Sequence, residues 1–369
     1  MPGDLTADSM ALAWGLGRTG QLGNGTTTDA LSPVEVTGLA AASVVKISAG
    51  GTDLSDSFAI AVDRDGGLKA WGFGYHGQLG NDGNTSQTVP TAVSTPNLYA
   101  DVAAGGMHAL ALARGGWVES WGDNIHGQLG DRYAEASRTA PDRVQDLPRV
   151  KQIAAGLEFS LALAADGTVY AWGSGFLGQL GNGAREPSRV PLQVPGLQNV
   201  AAIAARGHHA LALLRDGTVK SWGFNASGQL GNDSTTNSTV PVDVTGLEGI
   251  ATLVAGTAHN YAITTGGKVW GWGSNQHGQL LEADETFTDG ASRTNRHVPV
   301  EIPRLEGAKA LAAGTNYGVA LFTDRIATWG HNANGQLGNG TTTGRYEDIL
   351  GKGFTNITAS IGGATTYAH

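Results

Sequence analysis

Glu158, Arg206 and His208 are ionisable residues at positions where comparable stretches of the chain carry glycine or small and apolar side chains. A carboxylate, a guanidinium and an imidazole brought together from neighbouring segments would make an acid–base or anion-binding trio. The reading the sequence favours for the same residues is a surface ion pair that contributes little. Asp123 is a fourth candidate for proton handling. His76, His126 and His277 each directly precede Gly-Gln-Leu, but in separate segments, without the close ligand spacing of a local zinc site. No metal is therefore expected. The chain has no cysteine, which excludes disulfides, thiol catalysis and thiolate metal ligands. Neither a serine nucleophile elbow nor a phosphate loop is present. Gly15 to Gly20 spells Gly-x-Gly-x-x-Gly, yet no helical pattern follows, so it reads as a loop and no cofactor is expected.

These residues sit in a chain of 369 residues with 57 glycines, 12 prolines and only 15% charged residues. Its 40% hydrophobic content excludes a disordered chain. The formal net charge of -9, with no basic tail, excludes a face that displaces counterions from nucleic acid. No apolar run reaches the roughly 18 residues of a membrane span. Met1 to Met10 lacks the basic and apolar regions of a signal peptide. The expectation is a soluble monomer, cytoplasmic or secreted after removal of a signal, binding neither membrane nor nucleic acid.

Positioning comes from an internal repeat. Trp-Gly recurs at Trp14, Trp71, Trp121, Trp172, Trp222, Trp272 and Trp329, at spacings of 57, 50, 51, 50, 50 and 57. Gly-Gln-Leu follows each time, beginning at Gly20, Gly77, Gly127, Gly178, Gly228, Gly278 and Gly335. A further glycine comes next in six copies, and Leu281 replaces it in the other. Before Trp-Gly lies an Ala-Gly turn and an alternating Ala/Leu strand, such as Ser160 to Leu163. The dipeptides Asp65-Gly66, Asp166-Gly167 and Asp216-Gly217 suit type I′ hairpins. Proline segments around Pro191 and Pro241 suit edge strands. Four strands per roughly 50 residues and no helix predict an all-β, seven-bladed β-propeller of four-stranded blades over residues 1–369. The chain opens in mid-repeat at Ala11 to Trp14 and ends with strands near Ile357 and Thr366. Strands from both ends are therefore expected to complete one blade.

The pattern Ala-Gly-x-x-His, Asp-Gly-x-Val, Trp-Gly, Gly-Gln-Leu-Gly resembles the regulator of chromosome condensation (RCC) repeat family. That family includes exchange factors for a small GTPase, ultraviolet photoreceptors, ligase-associated scaffolds and secreted bacterial inhibitors. Its fold alone does not fix function. The resemblance implies that the residues after Ala-Gly and after Trp-Gly face one side of the ring around the channel. In this sequence they include Phe73, Tyr75, Met107, Leu157, Phe176, Phe224, Asn225, Asn275, Asn316 and His331. Such apolar and aromatic side chains with a few polar groups characterise pockets and protein-contact patches. The expected function is a binding module for a protein or a small hydrophobic molecule. The alternative is a cyclase or isomerase using an apolar channel mouth, with Glu158, Arg206, His208 or Asp123 handling protons. A guanine nucleotide exchange factor is a third reading, weakened by the absence of a basic tail. His108, His209 and His259 occupy the repeat's own histidine slot and read as structural, bonding backbone across the turn.

Overall fold

The computed structural model describes residues 11–40, 43–52, 56–132, 135–281, 293–344, 346–350, 357–359 and 365–368. These form 28 strands in seven four-stranded antiparallel sheets, with no α-helix among the described residues. Blade two contains β3 (Val44–Gly50), β4 (Phe58–Asp63), β5 (Leu68–Gly72) and β6 (Gln87–Ala92), and blade three β7 (Tyr99–Ala104), β8 (His108–Ala113), β9 (Val118–Asp123) and β10 (Ser137–Arg143). Blade four runs β11 (Val150–Ala155), β12 (Phe159–Ala164), β13 (Val169–Gly173) and β14 (Ser188–Gln193), and blade five β15 (Val200–Arg206), β16 (His209–Leu214), β17 (Val219–Gly223) and β18 (Ser238–Asp243). Blade six runs β19 (Ile250–Ala255), β20 (His259–Thr264), β21 (Val269–Gly273) and β22 (Arg296–Glu301), and blade seven β23 (Ala310–Ala313), β24 (Tyr317–Leu321), β25 (Ile326–Gly330) and β26 (Glu347–Leu350).

Blade one is built from both ends, in the order β2 (Ala30–Glu35), β1 (Leu12–Gly15), β28 (Thr365–Ala368), β27 (Ile357–Ala359). Leu12, Ala13, Trp14 and Gly15 pair with Ala368, Tyr367, Thr366 and Thr365. The closure leaves β1 with a neighbour on each side and so removes two open edges.

The second strand of each blade is buried on both faces, as Phe159 to Ala164 shows. Alternating Ala and Leu lets one blade pack small side chains against the large side chains of the next. The seven tryptophans fill the seams, all fully buried. Each indole Nε1 donates to the carbonyl of the Gly-Gln-Leu glutamine one blade earlier, from Trp71 to Gln21 (3.0 Å) around to Trp14 and Gln336 (3.0 Å). The repeat thus keeps tryptophan because an inter-blade niche needs both its volume and its one donor. Replacing Trp71, Trp121, Trp172 or Trp222 by Ala should each cost about 3–5 kcal/mol in denaturant melts. Negligible losses at all four would contradict this packing.

The glycine after each tryptophan is required twice over. Gly173 has φ +102°, and a Cβ there would lie 2.6 Å from the carbonyl of Glu158. Leu281, where six repeats have glycine, takes φ +47° and reproduces their backbone at a residue that disfavours it. The Asp-Gly turns differ from the type I′ expectation. Only the glycines have positive φ, and Gly167 N–H bonds the carbonyl of Ala164 at 3.0 Å. Each is a type I turn closed by a left-handed glycine. Asp166 stays right-handed because its carboxylate accepts from both the amide and the hydroxyl of Thr168, at 2.9 and 2.7 Å. The segments holding Pro191 and Pro241 are the outermost strands, as the missing amide donor requires.

Candidate interaction face

The loops after Trp-Gly are held by the repeat itself. The glutamine Oε1 accepts the amide two residues earlier, as at His76–Gln78 (2.9 Å) and His126–Gln128 (2.9 Å). Asparagines upstream pin the same loop: Leu230 and Leu280 donate their amides to Asn225 and Asn275 Oδ1, both at 2.9 Å. Asn225 and Asn275 are fully buried in that role. The expectation that they contact a ligand is therefore corrected: they are scaffold. His331 is half-buried, and its Nδ1 faces the Gln336 amide nitrogen at 2.9 Å, so it too braces a loop.

The histidine slot is structural, but by a different contact from the one expected. His108 Nε2 lies 2.9 Å from Ser160 Oγ in the next blade, and Ser160 donates onward to the Gln128 carbonyl at 2.8 Å. His209 does the same through Asn260, at 2.7 and 2.8 Å. These are relays across the seam, not bonds across the histidine's own turn. The acceptors place a proton on Nε2, and burial keeps the ring neutral. His259 has a partner on neither nitrogen among the described residues and packs edge-on against Tyr261 at 5.2 Å.

What varies from blade to blade concentrates on one arc of the face. Two residues before Gly-Gln-Leu, blades two, three and four carry Tyr75, Ile125 and Phe176, which are 65%, 58% and 50% exposed. The same position elsewhere holds Arg18, Ala226, Gln276 and Ala333. Phe73 stacks obliquely on Tyr75 at 4.9 Å, and Phe176 meets His126 edge-on at 5.9 Å. Met107 and Leu157, half-buried in the Ala-Gly turns of blades three and four, continue the apolar surface. Main-chain bonds tie these turns together: Gly51 to Gly105 (3.1 Å), Gly106 to Leu157 (2.9 Å) and Leu157 to Gly207 (2.8 Å).

Each seam in this arc sets a histidine beside a carboxylate. His76 Nδ1 lies 3.7 Å from Asp123 Oδ1, and His126 Nε2 lies 3.7 Å from Glu158 Oε1. Burial raises the Asp123 carboxyl above the usual carboxylate range, against the opposing pull of His76 and the bond from Gln128 Nε2 at 2.6 Å. His208 is also electrostatically coupled to Glu158 and His126, and burial holds its imidazole below the ordinary value. Glu158 and His208 therefore share a neighbourhood. Arg206, the third member of the expected trio, turns the other way. Its Nη2 reaches the carbonyl of Ala49 at 3.3 Å, from blade five to blade two, on the far side of the ring. The guanidinium is a crossbar over the channel, desolvated enough to be lowered to about 10. Beneath it lies a cavity of about 200 Å³ lined by Ala49, Ala103, Ala154, Ala204 and Val254. None of Phe73, Tyr75, Phe176 and Phe224 lines it. The channel is lined mostly by small aliphatic residues, and the aromatic side chains of the face lie outside it. Phe224 and Asn316 are half-buried in blades five and seven, away from the arc; their backbones serve neighbouring turns, Phe224 N–H to His208 (2.9 Å) and His331 N–H to Asn316 (3.0 Å).

The family profile of the RCC1-like domain matches residues 10–368. The chain belongs to the RCC1-like domain family. It is 35% identical over 187 residues to the human E3 ubiquitin-protein ligase HERC2, covering 51% of this chain and 3% of that protein. To the ultraviolet-B receptor UVR8 of Arabidopsis thaliana it is 30% identical over 194 residues, covering 52% of this chain and 43% of the receptor. The matched stretches cover less than half the length of each of these relatives. Among solved structures, Prp20p of Saccharomyces cerevisiae superposes with a TM-score of 0.81 at 21% identity, covering 98% of this chain and 91% of that one. Human WBSCR16 superposes at 0.82 and 22% identity, covering 98% of each.

Within this RCC1-like propeller, sequence reasoning passed over Ile125 and the seam histidines. Ile125 has the same offset from Gly-Gln-Leu as Tyr75 and Phe176, a signal readable once the repeats are aligned. His76 and His126 were legible only as absent metal ligands, because their carboxylate neighbours come from the next blade.

Proposed function

We propose that this RCC1-like propeller is a protein-binding module whose partner seats on the arc of blades two, three and four. One observation carries the reading: large apolar side chains stand exposed at one repeat position in three consecutive blades, while the other four hold small or polar residues. Exposed apolar surface of this kind marks contact sites, since solvation alone does not favour it. The aromatic and Met content matches the core of protein interfaces. Protein binding by a propeller of this fold supports the reading: Prp20p, the yeast RCC1, is described by its binding to Gsp1p and histones and by its complex with Kap60.

Truncating Tyr75 and Phe176 together to Ala should weaken partner binding at least 10-fold, or about 1.4 kcal/mol, with the melting temperature nearly unchanged. Both side chains are half or more exposed, so the scaffold loses little packing. The measurement is affinity beside thermal melting, with Gln276→Ala in blade six as the control. Equal affinity for the double variant and the parent would move the site off this arc.

A further inference from the structure

We infer that the segment docking on this arc is basic as well as apolar, a stretch in which Lys or Arg alternates with aliphatic or aromatic anchors. This rests on the binding-module reading and adds the chemistry of the partner. The arc sets two carboxylates, Asp123 and Glu158, among Phe73, Tyr75, Ile125, Leu157 and Phe176. Neither is neutralised by a lysine or arginine in the described ion pairs; each faces an imidazole nitrogen at 3.7 Å, beyond hydrogen-bond reach. Asp123 is more than nine-tenths buried, and its Oδ1 accepts no hydrogen bond among the described residues. A buried carboxylate oxygen without a donor is costly, and a cation docked over this seam lowers that cost through space, without reaching the oxygen itself. Glu158 is more open, with 38% of its side chain exposed, and is the carboxylate a partner can reach directly. Arg189 approaches the arc, but from the outer strand β14, and it donates to the carbonyls of Asn124 and Ile125 at 3.3 Å. The chain as a whole carries -9, so long-range attraction favours a cationic partner over an anionic one. A second copy of this chain fits poorly, because a two-fold contact through the arc brings like carboxylates together.

The test is a displayed library of random 12-residue peptides selected on the immobilised chain of 369 residues. Selected peptides are then measured against the parent, Asp123→Asn/Glu158→Gln, and Tyr75→Ala/Phe176→Ala, each checked by melting. The expected result is enrichment in Lys and Arg beside Leu, Phe or Trp, with at least 10-fold weaker binding to each double variant. Affinity for the parent should also fall with added salt. Peptides that need Tyr75 and Phe176 but ignore the carboxylate variant would overturn the basic partner and leave the docking arc standing. Peptides indifferent to both variants would remove the arc as well. Enrichment of acidic sequences, no enrichment, or a chain that self-associates through the arc would each overturn the basic segment.

Discussion

A chain ended after Thr355 should fail to melt cooperatively and should aggregate. The truncation removes β27 and β28 and exposes the full hydrogen-bonding edge of β1, which pairs in register with β28 over Leu12 to Gly15. It also empties a seam. Tyr367 is fully buried, lies 5.9 Å from the Trp71 ring, and donates its hydroxyl to the Gln21 carbonyl. Thr366 bonds the Gln336 carbonyl at 3.1 Å, and Tyr317 loses the Thr365 carbonyl it reaches at 2.7 Å. Loss of one buried aromatic costs about 3–5 kcal/mol by itself, against a total stability of roughly 5–15 kcal/mol. Size-exclusion chromatography and calorimetry of the truncated chain decide it. A monomer melting within a few degrees of the parent would show that ring closure does not hold the propeller together.

Acid should destabilise the propeller steeply, through three histidines with no exposed surface. Burial lowers the imidazoles of His108, His209 and His259 to about 3, about 4 and about 3. In the unfolded chain each titrates near the ordinary value of about 6.5. Below that value the unfolded state binds protons that the native state refuses, so stability falls as pH falls from about 6.5 towards 4 and is retained above it. At pH 5 the loss is about 2 kcal/mol per histidine and about 6 kcal/mol for the three. His259 isolates the effect. It makes no hydrogen bond among the described residues, and Phe58 and Phe159 fill the same slot in other blades. His259→Phe should therefore lower the pH dependence by about one proton without weakening the fold at pH 8. Denaturant midpoints from pH 4.5 to 8 for parent and variant check this. Parallel curves for the two would contradict the buried-neutral assignment.

The fold was legible because its signals are local and repeated. Trp-Gly, Gly-Gln-Leu and the Ala/Leu alternation each state a backbone or packing requirement seven times over, and the split blade followed from where the repeats begin and end. The Asp-Gly turns were misread in type because dipeptide preference does not report their neighbours: the Thr168 and Thr218 hydroxyls hold two of the aspartates, and in the third turn the Asp63 carboxylate accepts the Gly67 amide. The face was legible only in part. Phe73 lies against Tyr75, His126 against Phe176, and Asp123 and Glu158 sit beside histidines of the preceding blade. Asn225 and Asn275 do not serve there, because repeated polar residues in a loop look alike whether they hold the loop or meet a ligand. Arg206 was misplaced for another reason. Its side chain is long enough to cross the ring, and its contact at Ala49 lies 157 residues away in sequence. No spacing rule reaches that far.

Site-specific photo-crosslinking locates the contact arc. A photoreactive phenylalanine analogue is placed at Phe176 in one protein and at Gln276, the same repeat position in blade six, in another. Both positions lie in loops outside the packed core, so both proteins should melt like the parent. The account predicts a partner adduct from position 176 that disappears with Tyr75→Ala, and no adduct from position 276. An adduct from 276 with none from 176 would place the contact on the opposite arc and contradict the account.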